Sequence, residues 1–168
     1  MLRRIDELGR IVIPKELRKK LKIREGDFLD IYVSDSNIIL QKYSALKDIE
    51  AVVQSMLSSL EKTYKLSIIV TDMASVVASN YEKVSVGKPL CSELIDYISK
   101  RDAVFINKNV PVKIIDDFIS DTNQLIKPIG VYGDLFGAMI VFSDYELSKE
   151  KMDAFSLAYN FIVEYIDT

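Results

Sequence analysis

The residues of this sequence most able to do chemistry are the arginines and lysines near its N-terminus. Residues 1–24 hold nine Lys or Arg against three Asp or Glu, whereas residues 44–168 hold 12 against 18. A cationic segment joined to an anionic remainder is typical of a protein that binds a polyanion, most often nucleic acid. A solvated Lys and Arg surface would give the same counts, so charge alone leaves both interpretations open.

The composition excludes several other kinds of site. The 168-residue chain has no histidine and one cysteine, so His-based zinc sites, Ser-His-Asp triads, Cys-His nucleophiles and an internal disulfide cannot be built from it. It has no run of the roughly 18 to 20 uncharged apolar residues that a membrane span requires, and the charged residues 1–10 do not resemble a secretory signal. We therefore expect no catalytic residue, metal, cofactor or membrane contact, and a reducing cytoplasmic location.

The N-terminal cations must be positioned by the short elements of residues 1–43. Alternating apolar residues, Pro14 and three turn sequences predict four short strands and one helix. The strands are expected over 2–5, 11–13, 28–33 and 38–43, and the helix over 15–21. About 40 residues rarely bury enough apolar surface to fold alone, so we expect an obligate dimer whose strands pair across chains.

The same segment resembles a known family. The run Arg-Arg-Ile-Asp-Glu-Leu-Gly-Arg-Ile-Val-Ile-Pro-Lys-Glu-Leu-Arg over 3–18, followed by residues 21–27 and 29–33, is similar to the AbrB-type swapped-hairpin transcription factors. The resemblance covers residues 2–43 without a gap. It implies a homodimer of interleaved β-hairpins that inserts basic side chains into double-stranded DNA, with AT-rich promoters selected through DNA shape.

The resemblance also implies roles for individual residues. Lys19 stands where many members have an arginine, and because lysine lacks the planar guanidinium fork, this departure bears on base preference rather than on binding. The implied DNA-binding residues are Arg3, Arg4, Arg10, Arg18, Lys19 and Lys20. The expected dimer core comprises Leu8, Ile11, Ile13, Leu17, Leu21, Ile31 and Val33.

The rest of the chain is predicted to be a connecting helix over 44–64 and a mixed α/β domain over 65–168. Both the connecting helix and a last helix over 148–166, with Ser148 as its N-cap, carry apolar stripes. We expect the last helix to pack on the domain's own sheet and on a partner chain. The stripe of the connecting helix, about two heptads long, is expected to pack on the domain that follows, with a short coiled coil as the less favoured alternative. The expected assembly is a homodimer or homotetramer. The residues assigned to such oligomer helices are Leu46, Ile49, Val53, Met56, Leu60, Phe155, Tyr159 and Ile162.

The order of elements in the second domain resembles that of GAF-type domains. The resemblance rests on the order of helices and strands and on the segments 128–130 and 136–143. It implies an α+β fold, with an antiparallel sheet flanked by helices, and an effector-binding role. Because the chain lacks histidine and the polar motif residues of cyclic-nucleotide binders, a small apolar or weakly polar ligand is favoured, and a purely structural domain is the alternative. Together, the two domains resemble regulators of forespore genes in endospore-forming bacteria, which implies a cytoplasmic, nucleoid-associated transcription factor that both activates and represses.

Two other functional classes remain as alternatives. An antitoxin-like or other protein-interaction module would share residues 1–43, although antitoxins of this fold usually end in a short disordered tail instead of a large apolar domain. A small-molecule enzyme would need catalytic residue sets that the sequence lacks. A redox role for Cys91, or a metal or acid–base role for Asp116, Asp117 and Asp121, is less favoured than a small buried thiol and a solvated loop.

Overall fold

The computed structural model describes residues 2–21 and 23–167, and the chain divides into two compact units, Met1–Tyr43 and Ser44–Thr168. We call the first unit the head and the second the body. Within the described residues, no helix is both long and apolar enough to cross a bilayer.

The head contains one short helix and one β-hairpin. Helix α1 is Lys15–Lys20, and strands β1 (Leu29–Ser34) and β2 (Asn37–Lys42) form a two-stranded antiparallel sheet. Ile31 pairs with Leu40 and Val33 with Ile38, so one face of the hairpin is apolar. The turn between the strands is closed at Asp35, whose φ of 54° is a backbone conformation that Asp tolerates better than most residues.

The strands expected over 2–5 and 11–13 do not form ladders in the described chain. Both segments lack helix and strand assignment, and they are joined by a tight turn in which Asp6 N–H donates to the Arg10 carbonyl at 3.1 Å. An extended segment becomes a strand only where its N–H and C=O groups meet a second strand. Neither segment meets one within residues 2–21 and 23–43 of a single chain.

The body is built on a five-stranded antiparallel sheet, which confirms the expected α+β fold class. The order across the sheet is β4-β3-β9-β8-β5, with β3 Ser67–Asp72, β4 Val76–Ser79, β5 Val104–Ile106, β8 Asn123–Val131 and β9 Asp134–Ser143. A separate hairpin, which the sequence analysis did not predict, joins β6 (Val112–Ile115) to β7 (Phe118–Ser120).

Helices cover both faces of this sheet. The body's helices are α2 (Ala45–Asp48), α3 (Glu50–Tyr64), α4 (Ser92–Ser99) and α5 (Lys149–Asp167). One apolar core packs α2, α3 and α5 against inward residues such as Val70 and Val141. A second core packs α4 and the β6–β7 hairpin against the opposite face, where Ile69 and Ile140 point.

One expectation about the helices needs correction. The helix predicted over 44–64 is interrupted at Ile49, which separates α2 from α3. The interruption accompanies full burial of Leu46 in the core that α2 shares with the sheet.

The residues expected to form oligomer contacts on the two long helices lie in or against one apolar core. Leu46, Ile49, Val53, Leu60, Phe155 and Ile162 are buried in the body's own core, and Met56 and Tyr159 pack against it. This packing on the body's own sheet agrees with the first part of the expectation, whereas a contact of these residues with a partner chain stays a prediction. The exposed apolar residues of α5 are Leu157, Phe161 and Tyr165, at successive intervals of four.

Candidate nucleic-acid interface

The six cations expected to bind DNA are all exposed in the head. Arg18, Lys19 and Lys20 lie in the last turn of α1, where positive charge is favoured by the helix dipole, while Glu16 lies in the first turn. Arg3, Arg4 and Arg10 lie outside the helix, in the extended segments and at the end of the turn that joins them. The head therefore presents all six cations at its surface, with Arg10 among them paired to Asp6. Lys22, which adds to the N-terminal charge, lies outside the described residues.

Helix α1 is positioned by residues at its two ends. Pro14 precedes it with a φ of −58°, and the Pro14 carbonyl accepts the Arg18 N–H at 3.0 Å. At the other end, the Leu17 carbonyl accepts the Leu21 N–H at 2.9 Å and the Arg18 carbonyl accepts the Ile23 N–H at 2.8 Å. These bonds fix the direction in which Arg18 leaves the backbone.

The turn that carries Arg10 is organised around one carboxylate. Asp6 Oδ1 accepts the backbone N–H groups of Leu8 at 3.0 Å and Arg10 at 2.8 Å. Asp6 Oδ2 accepts the Nε–H of Arg10 at 2.7 Å. Hydrogen bonds from Arg10 lower the pKa of the Asp6 carboxyl below its ordinary value, and the bond from the Arg10 backbone has a larger effect than the bond from its side chain.

A second carboxylate holds the chain after α1 to the hairpin. Asp27 Oδ2 accepts the Arg24 N–H at 2.7 Å and forms a 2.8 Å ion pair with Lys42 of β2. Gly26, with a φ of +86°, allows the sharp turn between Arg24 and Asp27. The loop between α1 and β1 is thus fixed by side-chain contacts.

The residues expected to form a dimer core have little cover within one chain. Leu8 is 75% exposed and Val33 is 73% exposed, and Ile11, Leu17, Leu21 and Ile31 are also exposed. Ile13 is partly buried. Among residues 2–21 and 23–43, Pro14 is the only buried residue.

The body residues that could suggest catalysis or redox chemistry lie in ordinary structural settings. Cys91 precedes the first turn of α4, 3.7 Å from Asp116 Oδ1, and burial raises the pKa of its thiol. Asp116 and Asp117 lie in the turn of the β6–β7 hairpin, paired with Lys113 at 3.2 Å and Lys88 at 2.8 Å. Asp121 lies on the surface just after β7.

One feature that sequence reasoning missed is a groove in the body of about 550 Å³. It lies on the α5 side of the sheet, beside the edge strand β5. Its apolar lining comes from Phe105, Leu125, Val141, Leu147 and Met152, with Asn107, Asn123, Ser143 and Glu146 among its polar residues. These residues come from four separate segments, so no motif in the sequence could have indicated the groove.

Two family descriptions match consecutive parts of the chain. Residues 2–48 match the family described as antidote-toxin recognition MazE, bacterial antitoxin. Residues 48–162 match the family described as stage V sporulation protein T C-terminal, transcription factor.

Solved structures share the fold at low sequence identity. A type II free methionine-R-sulfoxide reductase from Thermoplasma acidophilum matches with a TM-score of 0.50 and 18% identity, over 72% of this chain and 94% of that one. Residues 122 to 287 of a methyl-accepting chemotaxis protein match with a TM-score of 0.54 and 17% identity, over 72% of this chain and 88% of that one. At these identities, the likeness concerns the fold alone.

Relatives in Bacillus subtilis (strain 168) cover the head and the whole chain. The transition state regulatory protein AbrB is 60% identical over 43 residues, which are 26% of this chain and 45% of AbrB. Stage V sporulation protein T is 30% identical over 172 residues, covering 99% of this chain and 97% of that protein. Since the C-terminal family match spans most of the chain and this relative matches along its whole length, the chain belongs to the stage V sporulation protein T family of transcription factors.

Proposed function

We propose that this protein regulates transcription of sporulation genes by binding promoter DNA through its head, as an activator at some promoters and a repressor at others. The observation that carries the proposal is the exposure of six cations on a head whose sequence is 60% identical to AbrB. In a cell, the protein would act on the nucleoid in the cytoplasm of the forespore.

Dimerisation of the head is part of the proposal. A chain segment in which Pro14 is the only buried residue, among those described, has too little core to be stable alone. The segments 2–5 and 11–13 have backbone groups available for pairing, and the apolar side of the β1–β2 hairpin is uncovered. Pairing these segments with those of a second chain would complete their backbone hydrogen bonds and cover the apolar side of the hairpin. It would also place two copies of each cation on one surface.

Binding to the duplex would be largely electrostatic. Two copies of the six cations could make about 6–10 phosphate contacts, and such a protein loses roughly 10³- to 10⁵-fold in affinity between about 50 and 200 mM salt. Phosphate contacts position a protein without reading sequence. The choice of AT-rich sites would then come from DNA shape and from the few arginines that reach base edges.

The test is DNA affinity at fixed salt, measured by fluorescence anisotropy with an AT-rich promoter duplex. Arg10→Ala and Arg18→Ala should each weaken binding by about 1–3 kcal/mol, while the matched control Lys62→Ala, an exposed cation of α3, should bind like the parent. Parent-like binding by both arginine variants would show that the head is not the DNA-binding surface.

Modulation by a small effector is the finer part of the proposal, and the groove beside β5 is its candidate site. A volume of about 550 Å³, an apolar floor and a few polar groups suit a small, mainly apolar molecule. A thermal-shift screen of cell metabolites should yield a stabilising compound, and Phe105→Ala should reduce its effect. Ile119→Ala, an equally exposed apolar residue outside the groove, is the control. Absence of any stabilising compound would favour a purely structural body.

An antitoxin-like function is the alternative, and the match of residues 2–48 to a family described as a bacterial antitoxin supports it. A toxin-binding protein of this kind would need a flexible segment to wrap its toxin, whereas residues 44–167 form a packed body.

We also propose that the protein is not an enzyme. The family match over residues 48–162, which is described as a transcription factor, supports this proposal.

A further inference from the structure

The carboxylate of Asp6 lies within the cationic surface of the head, where simple charge complementarity would disfavour it. An acid beside a DNA-binding arginine repels phosphate, so an electrostatic account predicts that removing it improves binding. The neighbouring acid Glu7 is a useful contrast. Within the described residues, its carboxylate has no hydrogen bond or ion pair, whereas the Asp6 carboxylate accepts three hydrogen bonds.

We propose that Asp6 is a positioning residue for DNA binding, which holds the Arg10 guanidinium by its Nε–H and directs the two Nη groups toward the duplex. The inference rests on the proposed function of the head. Arginine has five N–H donors, and the 2.7 Å bond from Nε to Asp6 Oδ2 uses only one of them. The four donors on the Nη atoms remain available as a fork for phosphate or guanine.

The turn around Asp6 makes this positioning rigid. Asp6 Oδ1 accepts two backbone N–H groups, the Asp6 N–H donates to the Arg10 carbonyl at 3.1 Å, and the Gly9 N–H donates to the Asp6 carbonyl at 3.0 Å. Gly9 has a φ of +76°, a conformation that closes the turn and that side chains rarely adopt. Arg10 nevertheless remains 72% exposed, so its guanidinium is restrained without being covered.

Restraint of this kind improves affinity because a long side chain loses conformational freedom when it binds. If the side chain is already ordered in the free protein, less freedom remains to be lost on contact with DNA. The hydrogen bonds from Arg10 lower the pKa of Asp6, so the carboxylate stays ionised, and the contact intact, at neutral pH.

The variant Asp6→Asn separates the contact with Arg10 from the turn itself. An Asn oxygen can still accept the two backbone N–H groups, but the amide nitrogen that replaces Oδ2 cannot accept the Arg10 Nε–H. We expect the full-length variant to bind the AT-rich duplex about tenfold more weakly than the parent, although it has lost a negative charge. The matched control Glu7→Gln should bind equally well or slightly better.

A double-mutant cycle identifies the residue through which Asp6 acts. Asp6→Asn should weaken binding by the same factor in an Arg18→Ala background and by almost nothing in an Arg10→Ala background. Tighter or unchanged binding by Asp6→Asn, or an equal loss in both backgrounds, would overturn the inference while leaving the DNA-binding head in place. Parent-like binding by Arg10→Ala would overturn the proposed role of Arg10 itself.

A second measurement does not depend on how the Asp6 variant folds. In the parent protein, the Nε–H of Arg10 should exchange with water at least tenfold more slowly than that of Arg3, as followed by NMR of arginine Nε–H groups. Equal exchange rates would show that Asp6 does not hold the guanidinium in solution, and the inference would fail.

Discussion

At the scale of single residues, Cys91 shows how position decides chemistry. A thiol at the start of a helix can have a lowered pKa and become reactive. In this protein, burial has the largest effect on the Cys91 thiol and raises its pKa, while Lys113 acts in the opposite direction and Asp116 adds to the rise. A thiol in this setting is poorly suited to redox sensing at neutral pH.

We therefore predict that Cys91 is slow to react. Because a raised pKa lowers the thiolate fraction at neutral pH, alkylation by iodoacetamide should be slower than that of N-acetylcysteine, with the midpoint of its pH–rate profile at higher pH. Asp116→Asn should move the midpoint to lower pH, because the carboxylate favours the protonated thiol. Cys91→Ser controls for labelling elsewhere. A midpoint at lower pH than that of N-acetylcysteine would contradict this prediction and support a redox role for Cys91.

The residues that we propose to bind DNA could be named one by one from the sequence because they belong to a continuous motif. The motif places Arg10 and Arg18 in relation to a turn, a proline and a helix that are all local in sequence. The contact between Asp6 and Arg10 was not predicted, although the two residues are only four apart. Which Asp6 oxygen accepts which N–H depends on the closed geometry of the turn. A count of charges suggests only that the Asp6 carboxylate would repel DNA, and it does not indicate that this carboxylate holds Arg10.

At the scale of elements, the link between α3 and the sheet depends on Asn80. Its Nδ2 donates to the carbonyls of Leu57 at 2.7 Å and Leu66 at 3.0 Å, and its Oδ1 accepts the Ile68 N–H at 2.6 Å. One side chain thus joins α3, the chain that follows it and strand β3. The backbone groups it serves would otherwise lack these bonds in a partly buried position.

Replacement of Asn80 should therefore destabilise the body. We expect Asn80→Ala to lower the free energy of unfolding by about 1–3 kcal/mol, because three backbone groups each lose a hydrogen bond. The measurement is urea denaturation followed by circular dichroism. Asn109→Ala, at an exposed asparagine of a surface turn, should change the stability by less than about 0.5 kcal/mol. Equal stability of the two variants would show that Asn80 does not join α3 to the sheet.

The last helix of the body was predicted over 148–166, within one residue of α5 at each end, because its apolar periodicity is strong. The β6–β7 hairpin was missed because its strands have only four and three residues, and because its turn contains two aspartates that resemble a solvated loop. The structural role of Gly137 could not be predicted from the sequence either. A Cβ at this position would overlap the Thr71 carbonyl on the neighbouring strand, so the close approach of β3 and β9 requires glycine.

At the scale of the whole molecule, the head and the body differ in how completely one chain can bury apolar surface. The body has an apolar core on each face of its sheet, whereas most apolar residues of the head remain exposed. This contrast is the strongest structural support for a partner chain at the head, since exposed apolar surface of this extent is rare on a stable monomer.

Ile31→Asp tests dimerisation of the head. Ile31 is 64% exposed in the single chain, so a carboxylate there would be harmless to a monomer but would be buried without a partner in an interlocked dimer. We expect at least a hundredfold weaker dimer and a loss of DNA binding, measured by analytical ultracentrifugation and anisotropy. Val86→Asp, at an exposed apolar residue of the body, is the matched control. A parent-like mass and affinity for Ile31→Asp would rule out the proposed interface.

The amino-acid sequence by itself determined the cationic N-terminal segment, the family of the head and the α+β class of the body. Each of these depends on residue types and on neighbours a few positions away. Only the tertiary structure decided that the connecting helix is interrupted at Ile49, that a groove opens beside β5, and that Asp6 holds Arg10. Burial and hydrogen bonding depend on which surfaces pack together in the folded protein. The spacing of residues along the chain does not specify which surfaces those are.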